Sequence, residues 1–427
     1  MSWISTSAAE QAEMLSVIGV TSMDDLFAAI PPELRSRSWD IPSGRSEMAV
    51  RDYLKSLAAR NDSSRVSFLG GGFYDHFIPA AVDALAARSE FYTAYTPYQP
   101  ECSQGTLQSI YEYQSAICRL TGLDFANASL YDGGTAVFEA TTMAIRLTGR
   151  ERVACHPSLN PLYRRMLETH LLNLKLEIVE GDNPEDSACV IVQNPDFRGT
   201  AADYTALGAQ CHAAGALLIV SFYPISLGLL KTPGEMGADI AVAEGQSLGI
   251  PLNFGGPYLG VLATRRAHVR KMPGRLVAET SDAQGRRGFV LTLQAREQHI
   301  RREKAMSNIC SNEALCALRA LIYMTLLGRE GLREVAQQCH SKAEYLKSQL
   351  PAASILNTGP TFNEFTVRLP RSAEDVVVRM AGRGYLAGLP LAALGVGGSN
   401  DLLIAVTEKR TRVQLDAFAQ ALEEECS

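Results

Sequence analysis

Between residues 150 and 265, short β-rich segments alternate with helical or loop stretches, and this alternation restricts the chain to few folds. The helical stretch at residues 204–214 is the clearest of those between the segments. Apolar strands that alternate with helices are typical of a mostly parallel sheet covered on both faces. We therefore predict an α/β fold, with strands at residues 152–156, 176–179, 189–193, 217–222, 240–243 and 260–264.

Three regions are predicted along the chain. Residues 1–64 have an amphipathic helical pattern interrupted by prolines, which indicates an N-terminal helical arm. Residues 65–329 contain the alternating segments and form the predicted large domain. Residues 330–427 contain helical patterns at both ends and two apolar strand patterns between them, so they form a predicted small C-terminal α/β domain.

Composition excludes several classes of protein. A net charge of −6 and a pI near 5.8 argue against a nucleic-acid surface. The first residues lack the pattern of a signal peptide, and no apolar run approaches the length of a membrane span. The nine cysteines are scattered without a Cys-x-x-Cys pair and the seven histidines are dispersed, so neither a disulfide framework nor a metal site is predicted. The expected compartment is the cytoplasm.

Residues 91–105, FYTAYTPYQPECSQG, crowd aromatic and polar side chains around two prolines. Pro97 and Pro100 fix their own φ angles and favour extended geometry in the residues before them. A stiff loop of this kind is either a buried structural loop, whose tyrosines pack and hydrogen-bond, or a loop that binds something. The residues alone leave both interpretations open.

Further blocks accompany this loop, and together they resemble a known family. They are residues 121–136 (TGLDFANASLYDGGTA), 249–257 (GIPLNFGGP), 272–275 (MPGR), 294–304 (QAREQHIRREK) and 307–310 (SNIC). In this order they resemble the N-terminal half of the glycine-cleavage P-protein. That family is fold-type I and dependent on pyridoxal phosphate (PLP), and in many bacteria it is split into two subunits. The chain resembles the first subunit, which implies a PLP-transferase-like large domain.

The resemblance places a glutamine at the position of the cofactor lysine. Counting back five residues from Pro251 gives Gln246, which cannot form a Schiff base, and no lysine lies between Lys231 and Lys271. The acidic partner of the pyridinium nitrogen falls on Val220, or on Ser221 with a gap. We therefore expect a PLP-fold body whose own cofactor site has decayed, with no catalytic residue in this chain alone.

Two further matches to a cofactor site are interpreted as ordinary structural features. Gly133 and Gly134 match a phosphate-cradling turn, and His156 matches a ring-stacking position. We favour a tight turn for the glycines and a core or surface role for the histidine. No Gly-x-Gly-x-x-Gly follows a strand and opens a helix, so a nicotinamide site is not predicted.

Fold-type I active sites lie at dimer interfaces, so this chain is expected to complete the site of its partner. The aromatic loop supplies most of the candidates, and a serine–asparagine pair that could reach the cofactor phosphate of the neighbour supplies the others. Met306 departs from the threonine that the family more often has before this pair. The candidates are Tyr95, Thr96, Tyr98, Gln99, Glu101, Ser103, Ser307 and Asn308. Glu101 is as well explained by an interface ion pair as by a catalytic role.

Residues 296–304 are dense in charge and have two interpretations. As a helix, Glu297 and Arg301 would be i,i+4 neighbours on a solvated, salt-bridged face. Alternatively, the segment forms a wall of the tunnel or dock that receives an acidic lipoyl carrier, with Arg301 and Arg302 as the contacts. We favour the structural interpretation for most of the segment.

The resemblance implies one function and leaves two alternatives. It implies an α2β2 assembly in which the second subunit carries PLP, decarboxylates glycine and passes the aminomethyl group to the lipoyl arm of H-protein. It also implies functional association with T-protein and L-protein. One alternative is a self-sufficient PLP enzyme that uses another lysine, such as Lys231. The other is a structural or regulatory partner with no residue in any active site.

Overall fold

The structure is a computed structural model that describes residues 5–36, 38, 40–172, 174, 176–351 and 354–426. Proximity of Cα atoms divides the chain into two compact units, residues 1–63 and residues 64–427. Within the described ranges, every helix falls short of the length or the hydropathy that a membrane crossing requires.

The N-terminal unit contains two α-helices, α1 (Ala8–Ile18) and α2 (Glu47–Ala58). A capping box starts α1, because Ser7 and Glu10 accept hydrogen bonds from each other's backbone N–H groups. The helix ends at Gly19, whose left-handed conformation suits glycine. Every residue of the two helices is at least partly exposed. Local capping, more than burial, therefore defines where these helices lie.

The second unit is built around a seven-stranded mixed sheet. The strands of this unit are β1 (Val66–Ser67), β2 (Phe125–Ala126), β3 (Arg152–Cys155), β4 (Glu177–Glu180), β5 (Ser187–Asn194), β6 (Leu217–Phe222), β7 (Ile240–Glu244), β8 (Gly260–Thr264), β9 (Leu276–Ser281), β10 (Arg287–Thr292), β11 (Glu364–Arg368), β12 (Tyr385–Leu386), β13 (Leu389–Pro390) and β14 (Asp401–Ala405). The central sheet has the order β2-β8-β7-β6-β5-β3-β4. Strands β3 to β7 run parallel to one another, whereas β8 is antiparallel to both β7 and β2.

Helices cover both faces of this sheet. In chain order they are α3 (Ala80–Ala86), α4 (Ser89–Tyr92), α5 (Gln104–Thr121), α6 (Gly133–Thr148), α7 (Pro161–Leu171), α8 (Thr205–Ala214), α9 (Gln298–Arg301), α10 (Ala314–Ser348), α11 (Ala373–Gly382) and α12 (Arg412–Cys426). Alternate residues of β5 enter opposite cores: Val190 and Val192 pack with α5, α8 and α10, and Cys189 and Ile191 pack with α6 and α7. This burial on both faces confirms the predicted α/β fold with a mostly parallel sheet.

The C-terminal part of this unit has its own apolar core. Strands β11, β14 and β13 form a small antiparallel sheet, and α11 and α12 pack beside it. The rings of Phe68 and Phe418 stack within this core at 3.8 Å between centroids. Helix α10 leads into it and is interrupted at Gly328, where the backbone is non-helical. The boundary predicted between residues 329 and 330 follows this interruption, and it stays a prediction.

Two local expectations differ from the structure. The six predicted strands coincide with β3 to β8 to within two residues, but the hairpin of β9 and β10 was not predicted. Residues 296–304 do not form the continuous helix of the salt-bridge interpretation. Only Gln298–Arg301 is α-helical, and Arg302 has a φ of 53°. A non-glycine residue in this left-handed region interrupts an α-helix.

Candidate functional site

The carboxyl ends of β5, β6 and β7 meet at the start of α6, where open α/β sheets bind their ligands. The cavity at this edge has a volume of about 30 Å³. That volume suits about one water molecule. Its polar lining includes Tyr74, Asn160, Tyr163, Gln193, Glu244 and Glu364, and of the described residues that line it none is a lysine or arginine.

Gln246, at the expected lysine position, is a buried hydrogen-bonding residue. Its Nε2 donates to the carbonyl oxygens of Tyr74 at 3.1 Å and Ile250 at 2.8 Å, and its Oε1 accepts from the Tyr74 N–H at 2.9 Å. Val220 is fully buried among apolar side chains, and Ser221 lies at the cavity. None of these three residues, two in β6 and one just after β7, supplies an amine or a carboxylate to a pyridine ring.

A carboxyl group occupies the N-terminus of α6. Glu244 accepts a hydrogen bond from the Gly133 N–H at 3.0 Å, and it also accepts from the N–H of Gln246 at 2.9 Å. Burial raises the pKa of Glu244 to about 8. A Cβ added at Gly133 would lie 2.5 Å from the Tyr163 hydroxyl. The two glycines thus form a tightly packed helix start, and the carboxyl group of Glu244 takes the Gly133 N–H that a phosphate would need.

A second buried carboxyl group closes the opposite wall. Glu364 accepts hydrogen bonds from the Tyr74 hydroxyl and from the Gly71 N–H, each at 2.6 Å. Burial raises its pKa to about 7. His156 lies edge-on to the ring of Tyr204, with 5.8 Å between the ring centroids. This cavity does not fit PLP, because its volume is small and, among the described residues that line it, no lysine or arginine is present for the aldehyde or the phosphate of the cofactor.

Lys231, the lysine considered for a self-sufficient enzyme, lies on the surface. Its Nζ donates to Asp203 at 2.5 Å, and about half of its side chain is exposed. The cavity lining does not include it. An exposed, ion-paired lysine lacks the desolvation that activates an amine.

The aromatic loop presents its tyrosines to solvent. Tyr92, Tyr95 and Tyr98 are 58%, 77% and 50% exposed, so the interpretation as a buried structural loop is wrong. Gln99 and Glu101 are exposed, Ser103 is partly buried, and the Thr96 hydroxyl is buried without a hydrogen-bond partner. The loop is held in place where Gln104 exchanges two hydrogen bonds with the backbone of Phe289 in β10.

Ser307 and Asn308 lie at the tip of an anchored segment. Burial raises the pKa of the nearby Glu139 carboxyl to about 6, and hydrogen bonding from the Ser307 hydroxyl opposes this rise. The Ser307 hydroxyl also accepts from the Ile309 N–H at 3.0 Å, whereas Asn308 is exposed. The Cys310 N–H donates to the Tyr131 hydroxyl at 3.3 Å. Contacts of Ser307 with Glu139 and of Cys310 with Tyr131 therefore fix this tip on both sides of Asn308.

Arg275 connects this segment to the aromatic loop. One of its terminal nitrogens donates to the Cys310 carbonyl at 2.6 Å and approaches the Tyr98 hydroxyl at 3.5 Å. The other donates to the Asn312 side chain at 3.2 Å. Its guanidinium lies 5.7 Å from the centroid of the Tyr98 ring. The structure thus brings together two of the regions that the sequence singled out, through a residue to which sequence reasoning gave no role.

The charged segment is partly buried and not a uniformly solvated face. Arg296 donates to the backbone carbonyls of Met272 and Gly274, and the Glu297 side chain is mostly buried. Arg301 donates to the Ala295 carbonyl at 3.0 Å in place of the expected pairing with Glu297. Arg301 and Arg302 are both exposed.

One further cluster combines groups that bind metals elsewhere. Among the described residues, ligand atoms of His76, Cys339 and Glu408 lie within 4.8 Å of one another. The Glu408 carboxyl accepts from the Phe77 N–H at 2.6 Å and pairs with the His76 ring at 2.6 Å. These bonds hold the pKa of Glu408 at about 2 against the effect of burial. The cluster is satisfied as a hydrogen-bond network, and the absence of a metal site stays a prediction.

Several residues of both regions escaped sequence reasoning. Glu244 and Glu364 follow or lie in ordinary strand patterns, so nothing in the sequence marks their carboxyl groups as buried. Phe254 is 99% exposed with a φ of 45°, although it lies within the GIPLNFGGP block. A solvent-exposed phenylalanine in a left-handed conformation is a genuine outlier. The glycines that follow it were the only available signal.

Comparisons with known proteins identify the family of this chain. Residues 1–422 match the family model described as glycine cleavage system P-protein. A relative from Geotalea uraniireducens, named "Probable glycine dehydrogenase (decarboxylating) subunit 1", is 54% identical over 99% of each chain. A crystal structure of glycine decarboxylase (P-protein) in inhibitor-bound form is 44% identical over the whole of both chains, with a TM-score of 0.92.

A more distant structure supports the fold alone. Glutamate decarboxylase of Lactobacillus brevis is 12% identical, with a TM-score of 0.66 over 95% of this chain and 96% of that one. This likeness, with that to the P-protein, confirms the predicted PLP-transferase-like architecture. The length and identity of the first matches leave no ambiguity about family: the chain belongs to the glycine cleavage system P-protein family, among the chains named subunit 1 of glycine dehydrogenase (decarboxylating).

Proposed function

We propose that this chain is the supporting subunit of a two-subunit glycine decarboxylase. The family and its fold imply PLP in the assembled enzyme, and the name of the relatives implies a second subunit. In this proposal the second subunit binds PLP and glycine, carbon dioxide is released, and the aminomethyl group passes to the lipoyl group of H-protein. The observation that carries the proposal is Gln246, which has no amine and whose buried amide is engaged by the backbone of Tyr74 and Ile250.

The contribution of this chain is an ordered surface offered to the second subunit. Tyr95, Tyr98 and Glu101 are exposed on a loop that Gln104 fixes to β10. Thr96, Gln99 and Ser103 belong to the same loop. Ser307 and Asn308 shortly precede Cys310, whose carbonyl is bound by the same Arg275 nitrogen that approaches the Tyr98 hydroxyl. A phenol, a carboxylate or an amide held in this way can orient a substrate and exclude water from a neighbouring site.

The exposed guanidinium groups of Arg301 and Arg302 are suited to a different partner. They stand on a short irregular segment beside Lys304, so three cations lie within four residues. In the proposal this segment contacts the acidic lipoyl carrier, H-protein. Charge complementarity of this kind raises association rates and weakens as salt increases.

The remaining parts of the proposal concern organisation. We propose an α2β2 assembly in the cytoplasm, working with T-protein and L-protein, and a chain organised as an arm (1–64), a large domain (65–329) and a small domain (330–427). The interruption of α10 at Gly328 supports the second boundary.

Reconstitution from purified components tests the function. The assay is exchange of label between bicarbonate and the carboxyl group of glycine. This chain alone is expected to be inactive, and its mixture with the second subunit and H-protein is expected to be active. The decisive comparison is the second subunit with H-protein but without this chain. Equal rates with and without this chain would show that it contributes nothing to catalysis.

A further inference from the structure

Arg275 is a buried residue that contacts three separate segments of the chain. It directly precedes β9, and its own carbonyl accepts a hydrogen bond from the Ala128 N–H at 2.9 Å. Its side chain is 6% exposed. The guanidinium contacts Tyr98 in the aromatic loop, the Cys310 carbonyl and the Asn312 side chain. A planar group with five donors is suited to hold several acceptors at fixed angles.

The third segment contains Glu297, and it lies beside Arg275 without a hydrogen bond between the two side chains. The Nε of Arg275 lies 3.9 Å from Oε2 of Glu297, which is beyond hydrogen-bonding distance. Both this Nε and the Oε1 of Glu297 are buried without a hydrogen-bond partner. Buried polar atoms of native proteins are nearly always paired. A small movement of the Glu297 segment toward Arg275 would pair both atoms at once.

The backbone around Glu297 is compatible with such a movement. Leu293 and Arg302 both have a φ of 53°, and they bracket the segment that contains Glu297. Non-glycine residues are strained in this region and concentrate where a segment has a functional conformation. The segment also carries His299, whose ring lies 5.8 Å from that of Tyr98.

From these contacts we propose that Arg275 is a positioning residue for the surface that meets the second subunit. Its guanidinium holds Tyr98 and the Ser307–Asn308 tip in one fixed arrangement, and its ion pair with Glu297 closes when the subunits assemble. This inference rests on the proposed function. Arg275 itself acts through the residues that it holds, and it is not assigned a contact with substrate.

Arg275→Lys tests the positioning role, because lysine keeps the charge and most of the stem but not the planar fork. With saturating second subunit and H-protein, the exchange rate is expected to fall at least tenfold, with KM for glycine changed less than threefold. Arg287→Lys is the matched control, since Arg287 also pairs with a carboxylate and lies 5.0 Å from a phenylalanine ring, but on the exposed end of the same hairpin. The control is expected to retain the wild-type rate.

Two further variants separate positioning from simple stability. Tyr98→Leu alone is expected to slow exchange, and adding it to Arg275→Lys is expected to cause little further loss, because both act through the same contact. Glu297→Gln is expected to weaken assembly about tenfold while leaving the melting temperature of the isolated chain unchanged. The exposed Glu374 on α11, changed to glutamine, is its control.

The outcomes distinguish this inference from the function on which it rests. If wild-type chain accelerates the second subunit but Arg275→Lys does so equally well, the inference is wrong and the function stands. The inference is also wrong if the rate falls only in proportion to the loss of folded Arg275→Lys chain, measured by circular dichroism. If wild-type chain itself gives no acceleration, both are wrong.

Discussion

The side-chain amide of Gln246 pairs with the backbone of Tyr74 through two hydrogen bonds, one accepted from the Tyr74 N–H at 2.9 Å and one donated to its carbonyl at 3.1 Å. The same amide nitrogen donates to the Ile250 carbonyl at 2.8 Å. An amide can accept and donate at once, whereas a lysine ammonium only donates. Gln246, where the resemblance predicts a cofactor lysine, therefore ties the backbone of Tyr74 to the segment that follows β7.

Gln246→Lys is expected not to restore cofactor binding. The substitution leaves the Tyr74 N–H without an acceptor and buries an ammonium group, which together lower the free energy of unfolding by about 2–4 kcal/mol. The neighbouring cavity at the start of α6, which Glu244 and Glu364 line, is about 30 Å³ and has no room for a pyridine ring. Incubation with PLP, borohydride reduction and mass spectrometry should find no stoichiometric lysine adduct in the wild type or the variant, and chemical denaturation gives the stability change.

Gln284→Lys provides the control for that experiment. Gln284 lies on the exposed turn of the hairpin, so the same substitution there should alter stability by less than about 0.5 kcal/mol. Stoichiometric labelling of one specific lysine in the wild-type chain would contradict the closed cavity and revive the self-sufficient enzyme.

The buried carboxyl of Glu364 is expected to make stability fall as pH rises. Its pKa is raised from 4.5 to about 7, so between these values the folded chain keeps a proton that the unfolded chain releases. The contribution is complete below pH 4.5 and is lost by about pH 7, a change of up to about 3 kcal/mol. Glu364→Gln keeps an acceptor for Gly71 and should flatten this decline. Denaturation midpoints at pH 5 and pH 8 measure it.

Glu374→Gln is the corresponding control, because Glu374 is exposed on α11. It should follow the pH dependence of the wild type. A Glu364→Gln chain with an unaltered pH dependence would show that Glu364 is ionised in the folded state throughout this range.

The fold could be predicted from sequence because, in the central sheet, the local hydrophobic pattern of the strands agrees with their burial in the folded chain. Segments such as residues 217–222 are apolar except at Ser221, and the structure buries β6 on both faces. The hairpin of β9 and β10 was missed because its sequence mixes charged and apolar residues, and β9 ends in exposed residues. Its inner residues Val277 and Phe289 are buried only through contact with α5, which a local pattern does not report.

Those parts of the candidate site that depend on the identity of a single residue could be predicted from sequence. Those that depend on which distant residues lie close together in the folded chain could not. Gln246 was found because the resemblance places a cofactor lysine five residues before Pro251, and a glutamine there cannot form a Schiff base. The closing carboxyl groups of Glu244 and Glu364 come from strands 120 residues apart along the chain, and only folding places them at one cavity. Arg275 illustrates the same limit, because its partners Tyr98 and Cys310 lie far from it in sequence.

Substitutions at Tyr95 distinguish a catalytic contribution of the aromatic loop from a structural one. Because its side chain is 77% exposed, neither Tyr95→Phe nor Tyr95→Ala should lower the free energy of unfolding of the isolated chain by more than about 0.5 kcal/mol. If the hydroxyl completes the site of the second subunit, Tyr95→Phe removes a hydrogen bond worth about 1.5–3 kcal/mol. Exchange in the reconstituted enzyme should then slow by about ten- to a hundredfold.

The comparison must extend to the other polar candidates of the loop. Tyr98→Phe and Glu101→Gln remove one polar group each while largely preserving side-chain volume. Unchanged exchange rates in these two variants and in Tyr95→Phe would remove the case for a loop shared with the neighbouring site, although the family assignment would be unaffected.

Phe254 is expected to matter only in the assembled enzyme. Its ring is 99% exposed, so Phe254→Ser removes no buried surface from the isolated chain and should leave its melting temperature unchanged. If the ring enters the interface with the second subunit, the loss of a buried aromatic anchor should weaken assembly by about 2 kcal/mol or more, which is about thirtyfold in Kd. Sedimentation velocity over a range of concentrations measures this. Val378→Ser, at a 73% exposed position on α11, is the control. Equal weakening by both substitutions would indicate a general loss of surface hydrophobicity and would rule out Phe254 as a specific anchor.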